Sequence, residues 1–309
     1  MTSYKKTESV DLSPEAIRTR LTAFMNEHGR SAAEVARSIG KSGSVLSQWL
    51  QDKYTGDNDA VAALIDSYLT AEYARILKPE NDFPFVMIPP AEDYFNAANI
   101  AHSERAINVV IAHSGRGKTW AGRNYAKLNP GVVFFESRVD EKPQSFFSRL
   151  CQQFKLPSDG TPPKLEDLLI DTLHGTGRLL IVDEAEQLNG QCLERVRRLW
   201  DMTGIGVLLA GMPRLFENMK GRRRESQEQI YSRVLGAFEL PEARVEDFAA
   251  ILAAVKPEYE EFADEFHQGA GGSLRSFSNI YRIARTIAYK NDTELSRGII
   301  RKAKSSIIL

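Results

Sequence analysis

The sequence predicts an α/β protein: a parallel sheet with flanking helices, preceded by a small all-helical unit and followed by a second helical segment. Three observations carry this. From residue 91 onward, short continuous apolar runs alternate with longer helical patterns (Ile107 to Ile111, Val132 to Phe135, Leu179 to Val182, Val207 to Ala210, Ala237 to Leu240). Such runs suit strands buried on both faces and joined by helical crossovers. Before residue 78 and after Pro241 only helical periodicity remains. Between the first helical unit and the strands lies KPENDFPFVMIPP, thirteen residues with four prolines. Proline removes the backbone donors that helices and central strands need, so this stretch reads as a linker. The expected domains are residues 1–77, a linker at 78–90, an α/β core at 91–241 and a helical lid at 242–309.

A length of 309 residues fits two or three domains at roughly 100–200 residues each. Apolar residues at 42% and charged residues at 26% are ordinary for soluble globular protein and exclude disordered or coiled-coil classes. The longest apolar stretches fall far short of the roughly 18–20 residues that span a bilayer. The opening MTSYKKTESVD has no apolar segment of the signal-peptide kind. The two cysteines, Cys151 and Cys192, lack metal-ligand spacing and read as reduced core thiols. A cytoplasmic protein without a membrane partner is expected. The net charge of -1 excludes a globally basic nucleic-acid binder but not a locally basic surface. Residues 239–268 hold nine acidic and two basic residues, and 270–309 hold eight basic and two acidic. Such polarity suits head-to-tail association or a polyanion track.

In the N-terminal unit, Ser13 and Pro14 form a helix start, with Ile17, Leu21, Phe24 and Met25 on one face until Gly29. Ser31 and Glu34 have capping-box spacing and open a second helix with Val35, Ala36 and Ile39 inward. Gly40 ends it, Ser42 to Leu50 forms a third, and Asp57, Asn58 and Asp59 cap a fourth that carries Val61, Leu64, Ile65, Tyr68 and Leu69.

The chemistry concentrates after the first strand. Ala112 to Thr119, AHSGRGKT, sits between a strand and a helix, the setting a phosphate-binding loop requires. Gly115 and Gly117 let backbone N–H groups, together with Ser114 and Arg116, wrap a phosphate at the positive end of the helix that continues through Trp120. Lys118 supplies charge to the terminal phosphates and Thr119 a hydroxyl to Mg²⁺. Ala112 stands where glycine is usual. About sixty residues on, Leu179 to Val182 is followed by Asp183 and Glu184. An acidic pair closing a buried strand is costly unless it serves a cation or a reaction. Asp183 is expected to hold Mg²⁺ through water and Glu184 to polarise the attacking water. ATP and Mg²⁺ are the expected ligands.

With these two motifs the sequence resembles the AAA+ ATPases, which implies further roles by position. Met212, after the fourth strand, stands where that family carries a polar sensor, so slow hydrolysis is expected. Arg233 matches the arginine finger, which acts on a neighbouring subunit's nucleotide, with Arg222, Arg223 and Arg224 as substitutes. Gly272 to Arg275 matches the second sensor and places Arg275 over the phosphates.

Ala32 to Leu50 resembles a phage-repressor helix-turn-helix: small Ala36 at the helix approach, Gly40 at the turn, Leu46 packed inward. Ser42, Ser44, Ser47, Gln48 and Gln51 would face a DNA groove, with Lys41 and Lys53 nearby as further donors to phosphates and base edges. The other reading is a helical adaptor of the same shape without DNA contact. The order of helix-turn-helix, proline linker, AAA+ module and helical lid, together with Asp52 to Asn58 (DKYTGDN), resembles the target-selecting ATPases of phage-Mu-type transposition, the protein B and TnsC-like group. This resemblance covers nearly the full length. It implies ATP-dependent oligomers or filaments on double-stranded DNA, largely independent of sequence, that recruit and stimulate a transposase. For backbone grip the expected residues are Arg138 and Lys142 after the second strand, with Ser137, and Arg195 and Arg198, three apart on one helix face. The opposing expectation pairs these cations with Asp140, Glu141 and Glu194 on the outside. Two other function classes compete: an initiator or helicase-loader ATPase, and a transcriptional regulator that takes ATP only as a ligand.

Overall fold

A computed structural model describes residues 13–76, 83–220, 232–290 and 293–306. The chain divides into two compact units, 1–81 and 82–309.

The first unit holds α1 (Pro14–His28), α2 (Ala32–Ser38), α3 (Gly43–Leu50) and α4 (Asn58–Ile76). Each start is satisfied by a side chain accepting from a backbone N–H that the helix leaves unpaired. Ser13 accepts from Ala16 and Ser42 from Val45, both at 3.3 Å, and Asp57 from Ala60 at 2.9 Å. Ser31 and Glu34 close the expected capping box, and these hydrogen bonds hold the Glu34 carboxyl below its usual range. Gly40 makes the turn between α2 and α3 with φ of 68°. Ile17, Leu21, Phe24, Val35, Ala36, Leu46, Trp49, Val61, Ile65 and Leu69 form the core.

The second unit is built on five parallel strands in the order β2-β3-β4-β1-β5. They are β1 (Ile107–Ile111), β2 (Val132–Glu136), β3 (Leu179–Asp183), β4 (Gly206–Gly211) and β5 (Val234–Glu239). The three inner strands are buried along their whole length, which is why they read as unbroken apolar runs. β5 starts three residues before its expected position. As an edge strand it alternates half-buried and exposed residues, and Gly236 separates Val234 and Leu235 from the apolar residues that follow.

Helices α5 (Pro89–Ser103) and α6 (Lys118–Leu128) cover one face of the sheet, and α7 (Pro143–Gln153), α8 (Pro162–Leu173), α9 (Gly190–Thr203) and α10 (Arg214–Lys220) cover the other. After β5 come α11 (Val245–Val255), α12 (Ala263–Ala270), α13 (Leu274–Lys290) and α14 (Arg297–Lys304). Their Phe248, Phe266, Phe277 and Tyr281 share one apolar cluster with Val110, Ile181 and Leu208 of the sheet. The expected α/β core and lid are thus one compact unit. Part of the expected linker belongs to it as well: Phe83 packs on Tyr281 with ring centroids 4.6 Å apart, Phe85 stacks on Phe95, and Pro89 and Pro90 open a helix. Aromatic burial overrides the proline composition there. Between the acidic and basic segments of the lid, Arg297 pairs with Glu265 at 2.7 Å and Glu261 at 3.7 Å, and Lys256 pairs with Glu294 at 3.4 Å. Both cysteines are free and buried, and burial pushes the Cys192 thiol up to about 12.

One close approach is testable. At Gly206 a Cβ would collide with the Ala101 carbonyl oxygen of α5, and backbone yields little. Gly206→Ala is expected to cost about 1–3 kcal/mol, read as a lower urea midpoint with an unchanged slope.

Candidate nucleotide site

The phosphate loop leaves β1 at Ala112, whose N–H donates to Gly211 O at 3.0 Å, so the loop springs from the joined ends of two central strands. Gly115 and Gly117 have φ of 84° and 87°, a region that favours glycine, and Gly117 directly precedes α6. Backbone N–H groups and the helix's positive end therefore converge where an anion would sit.

Lys118 is buried, and its Nζ donates to Ala112 O at 2.6 Å and His113 O at 3.3 Å. Burial lowers its pKa, against the opposing pull of Glu186, Asp183 and Glu184. A phosphate would relieve this ammonium of the cost of burial. Thr119 Oγ1 donates to Asp183 Oδ2 at 2.6 Å. Asp183 is fully buried, burial pushes its carboxyl up, and its Oδ1 has no hydrogen-bond partner. An oxygen pair with one unsatisfied buried carboxylate oxygen fits a hard divalent cation such as Mg²⁺. Glu184 follows in the left-handed region at φ 53°, an uncommon and strained place for a residue with a side chain. Its carboxyl is pushed up by burial, then by the charges of Glu186 and Asp183.

The structure therefore brings Lys118, Thr119, Asp183 and Glu184 together. It adds Arg275, at the start of α13, whose Nη1 donates to Ser114 Oγ at 2.7 Å, while Leu274 N–H donates to Gly115 O at 2.8 Å. Arg116 turns to Glu242 and to Gly272 O. Trp120 lies exposed on α6. Met212 places its backbone, not its side chain, in the polar network: its N–H donates to Glu186 Oε2 at 3.1 Å. Neither Glu186 nor Glu242 was singled out from sequence. Glu186 lies two residues beyond Glu184, a cue that spacing alone does not resolve.

Arg233 lies elsewhere, exposed just before β5 and 4.0 Å from Asp201. Arg222, Arg223 and Arg224 fall outside the described residues. Of the backbone-grip candidates, Arg195 and Arg198 do share a face, but both pair with the buried Glu166 of α8, Arg198 at 3.2 Å. Arg197 is bound to Glu194 and Asp201. Glu141 is also taken, by Arg149 and by Arg138 N–H at 2.8 Å. The side chains of Arg138 and Lys142 are exposed around it, on a loop tied to the nucleotide site because Ser137 N–H donates to Asp183 O at 3.0 Å. In the first unit, Lys41, Ser42, Ser44, Ser47 and Gln48 are all exposed. Ser42 and Ser44 hydrogen-bond each other at 2.9 Å, and Ser47 accepts from Gln51 at 3.3 Å.

Burying Asp183 has a stability consequence. A carboxyl whose folded pKa is raised contributes stability below the ordinary carboxylate range and loses it as pH rises through the raised value. Asp183→Asn removes that loss and keeps an acceptor for Thr119. The nucleotide-free variant is expected to gain about 0.5–2 kcal/mol near neutrality, with the gain vanishing below about pH 4. Urea unfolding at the two pH values measures it.

Sheet order, phosphate loop and acidic pair define a P-loop ATPase of the AAA type, and residues 101–219 match the AAA domain family. Over most of its length the chain is similar to proteins of DNA transposition. It is 27% identical over 294 residues to the ATP-dependent target DNA activator B of Escherichia phage Mu, covering 93% of each chain. It is also 27% identical to the Mu-like prophage FluMu DNA transposition protein B of Haemophilus influenzae, covering 85% of this chain and 94% of that one. Among solved structures, the ORC2 protein of Aeropyrum pernix matches with a TM-score of 0.58 at 20% identity, over 75% of this chain and 71% of that one. That likeness is one of fold. No helix among the described residues is long and apolar enough to cross a membrane.

Proposed function

We propose that this protein is an ATP-dependent activator of target DNA in transposition, one that assembles on double-stranded DNA as an oligomer and acts on a transposase in the cytoplasm. What carries the reading is the similarity to target DNA activator B over 93% of both chains. Support comes from a nucleotide site in which Lys118, Thr119, Asp183 and Glu184 lie together beside the loop that Arg275 touches. Lys118 and the loop N–H groups bind the phosphates, and Arg275 reaches the same loop from α13. Thr119 and Asp183 hold Mg²⁺, which when bound neutralises charge on the phosphate oxygens. Glu184 orients the attacking water, and Arg233 serves a neighbouring copy. Electron microscopy with ATP and random duplex DNA tests assembly: filaments are expected, and a protein that stays monomeric overturns the reading. Binding confined to one operator sequence would instead support the regulator class.

A protein that accepts any target grips phosphates, because base contacts would impose sequence. The exposed Arg138 and Lys142 suit this better than Arg195 and Arg198, whose charge is offset by Glu166. Arg138→Ala and Lys142→Ala are expected to weaken binding to all duplexes alike and each to reduce the salt slope by about one unit, with ATP-dependent assembly retained. Unchanged affinity and slope in both would move the DNA contact to the helix-turn-helix or the basic C-terminal segment.

A further inference from the structure

The fourth strand ends at Gly211, where the AAA+ pattern expects a polar side chain just beyond and the chain supplies Met212. The polar group found there comes from another element. Glu186 lies in the short turn Ala185–Gln187 that follows Glu184, is 5% exposed, and accepts the Met212 N–H on Oε2 at 3.1 Å. The contact needs glycine next door: a Cβ on Gly211 would lie 2.7 Å from that same Oε2 and 3.3 Å from Glu186 N. Gly211 O in turn accepts from Ala112 N–H, the first residue of the phosphate loop. One residue pair thus joins the turn bearing Glu184, the end of β4 and the base of the loop bearing Lys118.

We propose that Glu186 is a positioning residue for ATP hydrolysis: its carboxylate takes the place of the missing polar side chain at the end of β4 and holds the Glu184 turn against that strand. This rests on the assignment of Glu184 to the attacking water. A peripheral carboxylate would lie clear of the strand end, whereas this one accepts the Met212 N–H and sits where a Cβ on Gly211 would fall; its charge also favours the ammonium of Lys118. Positioning through a fixed turn governs how well water is aligned rather than how tightly ATP is held.

The test uses the full chain and compares Glu186→Ala, Glu186→Gln, Gly211→Ala, the Glu186→Ala/Gly211→Ala double variant and Glu184→Gln. ATP affinity, single-turnover hydrolysis and thermal unfolding are measured for each. Glu186→Ala is expected to lose ~10–100-fold in the hydrolysis step with ATP affinity unchanged and melting lowered only by the one lost hydrogen bond. Glu186→Gln recovers most of that loss, because its amide oxygen still accepts from Met212. Gly211→Ala reproduces the loss by displacing the carboxylate, and the double variant is no slower than either single one. Normal hydrolysis in Glu186→Ala or Gly211→Ala, or Glu186→Gln as slow as the alanine, overturns the proposal. So does an equal loss of ATP affinity. Should Glu186→Ala fail to fold, Gly211→Ala decides alone. Normal turnover in Glu184→Gln would instead remove the reading beneath it.

Discussion

Glu184→Gln is expected to bind ATP as tightly as the unaltered protein while hydrolysing it ~10²–10⁴-fold more slowly, the range lost with a positioned proton acceptor. The amide keeps the size of the side chain, and the left-handed backbone at residue 184 is unaffected, so the loss falls on the chemical step. Lys118→Ala is its counterpart: it removes the buried ammonium that the phosphates would meet and is expected to abolish ATP binding. Isothermal titration with ATP, followed by single-turnover hydrolysis, separates the two. Because Met212 offers no side-chain donor, turnover in the unaltered protein is expected well below the common ~10 s⁻¹ scale. Near-normal turnover in Glu184→Gln would take this residue out of the reaction.

The parts of this site that sequence made legible are those whose chemistry is local. Gly115, Gly117, Lys118 and Thr119 lie within five residues, and Asp183 and Glu184 close a strand whose burial explains both its apolar run and the cost of ending it in acid. The inner strands were legible for the same reason. Pairings made across the fold were not. Arg195 and Arg198 read as a basic stripe because Glu166 lies on another helix, and only packing of α8 on α9 brings the carboxylate under them. Phe83 and Phe85 sat in a proline-rich stretch whose composition says linker, while their rings bind them to Tyr281 and Phe95. Glu186 was hidden because its partner is a backbone N–H at the end of a different strand.

Arg233→Ala is expected to lower hydrolysis in the assembled state ~10³–10⁵-fold, the span of a supplied arginine finger, and to leave ATP binding by the single subunit intact. The geometry keeps Arg233 away from the phosphate loop of its own chain, so an effect on hydrolysis would have to come from a neighbouring copy. β1 and β5 run parallel with Ile107 beside Val234, so Arg233 stands at the start of the sheet while the phosphate loop leaves β1 at its other end. Five residues of strand separate these ends by about 16 Å, beyond the reach of one side chain. The guanidinium is half exposed and only loosely tied, 4.0 Å from Asp201, so little must be broken to offer it to another copy. A finger given from one face to the loop on another makes the contact head-to-tail, the kind that propagates into rings or filaments. Nucleotide and assembly then stabilise each other. Mixing Arg233→Ala with Lys118→Ala subunits in equal amounts leaves about a quarter of such contacts with both an intact loop and an intact arginine. Hydrolysis is expected to return in the mixture although neither variant alone supports it. A mixture as inactive as its components, with assembly intact, would show that Arg233 serves no shared site.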